Sequence, residues 1–345
     1  MAAPPVLLVH LYTNKVLERI LEGLAAADLP DKTRVYVGTY GINEAEARMI
    51  IRRGFLYAPA FQLFPDQNKE VRAKRPFRKA LPQSPGDPFA GPFPAPAKQR
   101  LPTRQLHEWG LELGRRFRDQ LEIKRASFKA KHLEIETWQL DEIYGECRND
   151  QNAATGLSFR TFTRGVVQGL GEGRRPVDKI DKGIVWIPRS ALHSLSRSLT
   201  AELRLFWDGI DAGTSILVGE EYPPFVGNAT DSGHSSGADH RALAERGKVH
   251  PACKRLAANY IVGMTPGWKL RPGLGGNPRA HPKSLSEVTA WRNEFATSRA
   301  RGTPKPCGYA QFSFDHENVD PPEGNKRIDS AIETLRVAAG AHVHP

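Results

Sequence analysis

The stretch "IETWQLDEIYGE", residues 135–146, ends a β-rich run on two adjacent carboxylates, Asp141 and Glu142, flanked by Trp138 and Tyr144. Two further runs end on acids. "TSILVGEEY" (214–222) closes on Glu220, Glu221 and Tyr222, and "CGYAQFSFDH" (307–316) carries Asp315 near its end. Two carboxyl groups facing one glycosidic bond, with flat aromatic rings for the sugar to rest on, are what its hydrolysis requires: one protonates the leaving oxygen, the other attacks carbon or activates water. The same acids could instead cap the helices that follow or pair with some of the 49 lysines and arginines. The choice turns on whether the strands deliver them to one place.

The elements that would position these acids alternate regularly. "VLLVHLY" (6–12), "RVYVGTY" (34–40), "FLYAPAF" (55–61), 135–146, "GIVWIP" (183–188), 214–222, "NYIVGMTPGW" (259–268) and 307–316 read as eight strands. Between and after them, 14–27, 43–54, 104–133, 156–170, 191–207, 238–258, 284–300 and 327–340 have helical spacing. Val16, Leu17, Ile20, Leu21 and Leu24 form one such apolar stripe, and Asn43 and Gly54 suit the two ends of the second helix. Residues 62–103 break the rhythm as a Pro-rich, basic excursion, and 223–236 form a second long loop. Strict alternation implies parallel strands joined by helical crossovers. Eight units predict an α/β fold of the (β/α)8 (TIM) barrel kind, one domain spanning 1–345. No G-x-G-x-x-G follows the first strand, so a dinucleotide-binding open sheet is not expected, and "GLGEGR" and "GLGG" read as turns.

In such a barrel the C-terminal strand ends form the site, and period-two alternation selects the inward residues. On the fourth strand Thr137, Gln139 and Asp141 share the inner face; Glu142 replaces Asp141 only if a bulge intervenes. On the sixth, Ser215, Leu217, Gly219 and Glu221 are expected inside, with Ile216 and Val218 against helices and Glu220 as the alternate. On the eighth, Tyr309, Gln311, Ser313 and Asp315 are expected inside, with Ala310, Phe312 and Phe314 against helices. The candidate catalytic residues are therefore Asp141, Glu221 and Asp315, with Glu142 and Glu220 behind them. His10, Tyr12, Tyr40, Gln139, Trp186, Tyr222, Trp268 and Gln311 are candidates for substrate contact. His10 also reads as a hydrogen-bonded core histidine.

On "WQLDEIYGE", "LVGEEYP" and "FSFDH" the chain resembles a (β/α)8-barrel glycoside hydrolase, in architecture over most of its length and in motif over these stretches alone. The seventh strand ends in "GMTPGW" without a carboxylate, unlike the large clan with a glutamate nucleophile there. Barrels acting on α-linked sugars, with an aspartate nucleophile on strand four and an acid on strand six, are nearer. That resemblance implies a retaining reaction on a carbohydrate substrate, with Asp141 as nucleophile, Glu221 as acid/base and no cofactor. The chitinase-like D-x-x-D-x-D-x-E pattern is absent.

The composition, 39% hydrophobic and 25% charged over 345 residues, suits a soluble globular protein. The net charge of +11 is concentrated in "KEVRAKRPFRK" and "KQRLPTRQ", in or beside the Pro-rich excursion, with no nucleic-acid-binding signature beside them. A nucleic-acid partner is therefore not expected. Two alternatives stand beside the hydrolase: a non-catalytic polysaccharide- or nucleic-acid-binding protein using that basic loop, and a metal-dependent barrel hydrolase holding its ion with His10, Asp141 and a loop histidine. "DSGHSSGADH" offers Asp231, His234, Asp239 and His240 in a spacing that fits no familiar motif, so no metal site is expected. Cys147, Cys253 and Cys307 read as unpaired thiols, and neither a G-x-S-x-G elbow nor a Walker motif occurs. The N-terminus lacks a secretory pattern and no apolar run is long enough to cross a membrane. Cytoplasmic residence and a secreted form with its signal removed both fit, and oligomeric state is not legible.

Overall fold

Runs rich in Val, Ile, Leu and aromatic residues become strands where a neighbour supplies a ladder. The computed structural model describes residues 5–11, 14–62, 103–141, 164–172, 183–187, 201–219, 236–264, 306–312, 328–329, 332–333 and 335–340. Its strands are β1 Val6–Leu11, β2 Arg34–Thr39, β3 Leu56–Tyr57, β4 Ala60–Gln62, β5 Gln139–Asp141, β6 Gly183–Ile187, β7 Thr214–Gly219, β8 Tyr260–Met264 and β9 Gly308–Phe312. The helices among the described residues are α1 Leu17–Ala26, α2 Glu44–Arg52, α3 Thr103–Lys129, α4 at 164–171, α5 Ala201–Gly213, α6 Ser236–Arg246, α7 Pro251–Ala258 and α8 within 328–340. Every strand pair is parallel. The order across the nine-stranded sheet is β3-β2-β1-β9-β8-β7-β6-β5-β4.

Several boundaries differ from expectation for identifiable reasons. The third predicted strand is split into β3 and β4 at Ala58–Pro59, because proline has no N–H for a ladder. The fourth begins at Gln139 rather than 135, level with its partners Ala60 and Ile184. The expected helix 238–258 is two helices: a turn at 247–249 ends α6, and Pro251 opens α7 where its missing N–H costs nothing. α5 continues past Trp207 to Gly213 because Ile210 extends its buried stripe. Asn43 caps α2 as expected, accepting from the Ala45 and Glu46 amides at 2.9 and 3.4 Å, and Gly54 takes the left-handed φ of 82° that closes it. The predicted helix 284–300 lies outside the described residues.

The sheet has two unlike faces. Leu7, Val9, Val35, Val37, Tyr57, Trp138, Leu140, Val185, Tyr260, Val262 and Tyr309 pack with residues from the helices in one cluster. On the other face, Leu8, Tyr36, Ala58, Ile184, Trp186, Ile261 and Ala310 form a second cluster, with Val6, Leu56, Ile216 and Cys307 against it and no helical residue among them. That face covers itself. β1 and β6 stand four places apart in the order, a separation of about 19 Å in a flat sheet, yet the His10 and Trp186 ring centroids are 5.6 Å apart. The sheet is therefore rolled, with the second cluster inside.

The named strands end at β3 and β4, which are separated by two residues of chain, and the ladder is open between them. Around this break, the Ala58 amide donates to Val37 O at 3.0 Å and the Gly41 amide to Ala60 O at 2.8 Å, toward β2. On the other side the Gln139 amide donates to Pro59 O at 2.8 Å, toward β5. A single parallel bridge joins Tyr40 and Ala60.

The expected facing is reversed on β7 and β9. Ile216 packs against the inner cluster and pairs with Ile184; Ala310 belongs to that cluster and pairs with Leu8, while Tyr309 lies with the helices. On β9 both faces are buried, Tyr309 on one and Ala310 on the other, so the contrast between polar and apolar side chains carries no sign there.

Outside the sheet, three consecutive helices meet backbone to backbone. "GLELG" (110–114) in α3, "GVVQG" (165–169) in α4 and "GIDAG" (209–213) in α5 each space glycines by four. A Cβ on Gly114 would overlap Val166 O, one on Gly165 His107 O, one on Gly169 Leu111 O and one on Gly213 Val167 O. Gly169→Ala and Gly213→Ala are each expected to lower unfolding free energy by about 1–3 kcal/mol through overpacking; wild-type urea midpoints for both would contradict this packing.

Candidate functional site

The site is built from the upper part of the inner face, near the C-terminal strand ends. His10 is the penultimate residue of β1, two beyond the inner Leu8, and is fully buried. Its ring meets Tyr40, just past the end of β2, edge-on at 4.8 Å between centroids, and Trp186 of β6 at 5.6 Å. Gln139, fully buried at the start of β5, joins two neighbours. Its Nε2 donates to the Ala58 carbonyl at 2.7 Å, and its Oε1 accepts from Trp186 Nε1 at 2.9 Å. Gly38 on β2 leaves the space for this. A Cβ there would overlap Ala58 O and stand 2.8 Å from Gln139 Nε2.

The electrostatics follow from burial. Desolvation pulls the His10 pKa down to about 3, with a hydrogen bond involving Gln139 opposing the shift. His10 is thus neutral and supplies neither proton nor charge at ordinary pH. The layer offers aromatic faces, one oriented amide and a neutral imidazole, and its carboxylates are expected from residues beyond it at the strand ends.

The loop after β2 is held from below. Thr39 Oγ1 donates to the Glu46 carboxylate in a buried pair, and the Asn43 amide donates to the Tyr57 hydroxyl at 3.0 Å. In a capping box the third residue of the helix takes the N-cap amide; here Tyr57 takes it and Glu46 turns to Thr39. Burial raises the Tyr57 pKa above its ordinary value, keeping the hydroxyl protonated.

Of the residues predicted for substrate contact, His10, Tyr40, Gln139 and Trp186 come together in this layer; of the four, Tyr40 alone retains partial exposure. Asp141 ends β5, paired with Gln62 of β4. Gln311 on β9 is paired with Val9 and Met264. Glu142, Glu220, Glu221, Asp315, Tyr12, Tyr222 and Trp268 lie outside the described residues, as do 63–102, Asp231 and His234. His240 is no loop ligand: it sits in α6, buried, with Nε2 3.0 Å from the Ala257 carbonyl and its ring 5.1 Å from that of Tyr260. Among the described residues no three His, Cys, Asp or Glu side chains gather as a metal set. None of the described helices is long and apolar enough to cross a membrane.

Gly38 and the Ala58 carbonyl were not anticipated. The signal for the first was present: an isolated glycine within "RVYVGTY", in phase with Tyr36 and Tyr40, marks a close approach to a strand.

No family model matches the chain, and no curated protein sequence is similar to it. Among solved structures, one from a study of two fungal beta-1,4-galactanases is similar over 90% of this chain and 89% of that chain, at 10% identity and a TM-score of 0.41. A likeness at this level carries no argument about activity.

Because the folded His10 pKa of about 3 lies below the ordinary 6.5, the unfolded chain binds the extra proton between those values. Stability is full above about pH 6.5 and is lost as pH falls toward 3; His240, lowered to about 4, adds to the same limb. In histidine-labelled protein the His10 ring resonances are expected to hold their neutral positions down to about pH 4, and a titration midpoint near 6.5 would contradict its burial.

Proposed function

We propose that the protein is a carbohydrate-active hydrolase in which carboxylates from the ends of β5 and β7 flank the scissile glycosidic bond. The observation that carries this reading is strand order: β5 and β7 flank β6 in a parallel sheet. Their C-terminal ends therefore leave the sheet in the same direction, about 10 Å apart by strand spacing, a distance from which two carboxyl groups can reach across one bond. Asp141 is the last residue of β5, and Glu220 and Glu221 follow Gly219 at the end of β7.

The reading takes the chain as one (β/α)8 barrel, with 62–103 as an excursion from it. Support for closure comes from the segment 56–62, which pairs with β2 at one side and β5 at the other; taken as one strand bent at Ala58–Pro59, it makes eight strands of nine. Period-two extension from Gln139 assigns Asp141 to the inner face. Were the alternation from Ile216 to continue past β7 it would favour Glu220 over Glu221, and we take Glu220 on that ground, with Asp315 as the third candidate. In the retaining version, Asp141 attacks the anomeric carbon while Glu220 protonates the departing oxygen; Glu220 then takes a proton from the water that releases the glycosyl group from Asp141. Tyr40, with Tyr12, Tyr222 and Trp268, would supply surfaces for sugar rings.

The test is turnover of a panel of 4-nitrophenyl glycosides of both anomeric configurations. Asp141→Asn and Glu220→Gln are each expected to lower kcat/KM by about 10²–10⁴, with Tm close to wild type, while Glu221→Gln stays within about tenfold. Full activity in Asp141→Asn would remove it from the mechanism, and a wild-type protein inert across the panel would overturn the hydrolase reading.

A further inference from the structure

The strand that ends in Asp141 is short. β5 has three residues, paired at 139–141 with β4 and at 139 and 140 with β6. Few ladder bonds hold it, and on one side it meets the break at Ala58–Pro59. The Gln139 side chain adds two bonds at that point, one to each neighbour: to the Ala58 carbonyl on the side of the break and to the Trp186 indole on β6. Its orientation is not free. An indole N–H only donates and a carbonyl oxygen only accepts, so the amide oxygen must face Trp186 and the amide nitrogen must face Ala58. Gln139 is fully buried, so water does not compete for either bond, and Gly38 keeps the space beside Nε2 open.

We propose that Gln139 is a positioning residue, an inference that rests on the reading of Asp141 as nucleophile: its side-chain amide, held in one orientation, fixes where β5 and the Asp141 backbone stand against β6 and the Ala58–Pro59 break. The amide stands two residues before Asp141, a rise of about 6.6 Å along the strand. A displacement of about 1 Å at a reacting group can cost 10²-fold in rate, so the contribution falls on kcat rather than on substrate affinity.

Two substitutions separate the lock from its consequence. Gln139→Glu can keep both bonds only when protonated, its O–H donating to Ala58 O and its C=O accepting from Trp186. Ionised, it has no proton for Ala58 and sets negative charge against that carbonyl. Its folded pKa must then lie above the unfolded value of about 4.3, so the variant matches wild type below that pH and loses stability as pH rises toward the folded pKa. The titratable groups of the layer are His10, which also shares a hydrogen bond with the side chain at 139, and Tyr40, with Asp141 two residues on; because a carboxylate at 139 would raise the His10 pKa and pair with its imidazolium, the variant and its reference both carry His10→Phe. The Tm deficit of Gln139→Glu against the His10→Phe reference is expected to grow from near zero at about pH 4 to about 5 °C or more at pH 8. A deficit that does not change with pH, or none at all, overturns the lock.

Gln139→Met keeps the length of the side chain and removes both bonds. On a 4-nitrophenyl glycoside that wild type turns over, kcat is expected to fall about 10–100-fold with KM within about threefold, and Gln139→Glu assayed near pH 4.5 is expected to recover most of that loss. Unchanged kcat in Gln139→Met, or a loss carried by KM, overturns the positioning role. If wild type turns over no glycoside, the hydrolase reading falls and the positioning role with it, while the Tm series still decides the lock.

Discussion

Everything in the described structure depends on a sheet face that has no helices to cover it. The helices pack on the other face with Leu7, Val9, Val37 and Leu140, leaving Leu8, Tyr36, Ile184, Ile261 and Ala310 to be buried by one another. Flat, this face would expose a broad apolar surface to water at about 25 cal/mol per Å². Rolling brings strands four places apart into contact, and Trp186, fully buried, fills the space between them and His10. Because every pair is parallel, the roll also gathers all the C-terminal strand ends at one side, where the topology presents functional groups.

The inner face changes character along its height. The deeper residues are apolar and need only fit. Above them His10, Gln139, Trp186 and the Ala58 carbonyl place polar atoms in a dry interior, where an unsatisfied group costs about 1–3 kcal/mol. The cost is offset by specific pairing: the Gln139 amide answers the indole and the carbonyl together, and the imidazole stays neutral. This polar layer ties β6, the β3–β4 break and β5 together, and β5 is the strand that ends in Asp141. On the outside, the glycines of α3, α4 and α5 let the helix backbones approach closely enough to follow the curved surface.

Much of this was legible in the residues. The β/α alternation, the Asn43 cap and the Gly54 stop are local signals with local causes, and they survive in the fold. His10, Gln139, Tyr40 and Trp186 were recognisable because polar or amphipathic residues in apolar strands, in phase with an inner face, have few other places to go. The facing of β7 and β9 was not recoverable. On β9 both sides are buried, Tyr309 on one and Ala310 on the other, and the register that marks the inside, Ile184 with Ile216 and Leu8 with Ala310, is set by partners distant in sequence. The glycine pairs of α3, α4 and α5 were also silent, since a glycine repeated at four reads locally as a weak helix former, and only the opposing backbone gives it a purpose. Of the carboxylates at the proposed rim, strand order locates the ends that carry them, and Asp141 by its place in β5.

The most direct test of the rolled sheet is magnetisation transfer between ring protons in protein labelled at histidine and tryptophan. The His10 and Trp186 centroids stand 5.6 Å apart, so a cross-peak between the assigned imidazole and indole protons is expected. Its absence, with both resonances assigned and other aromatic cross-peaks visible, would mean that β1 and β6 do not face one another, and the shared rim for β5 and β7 would be lost with that contact.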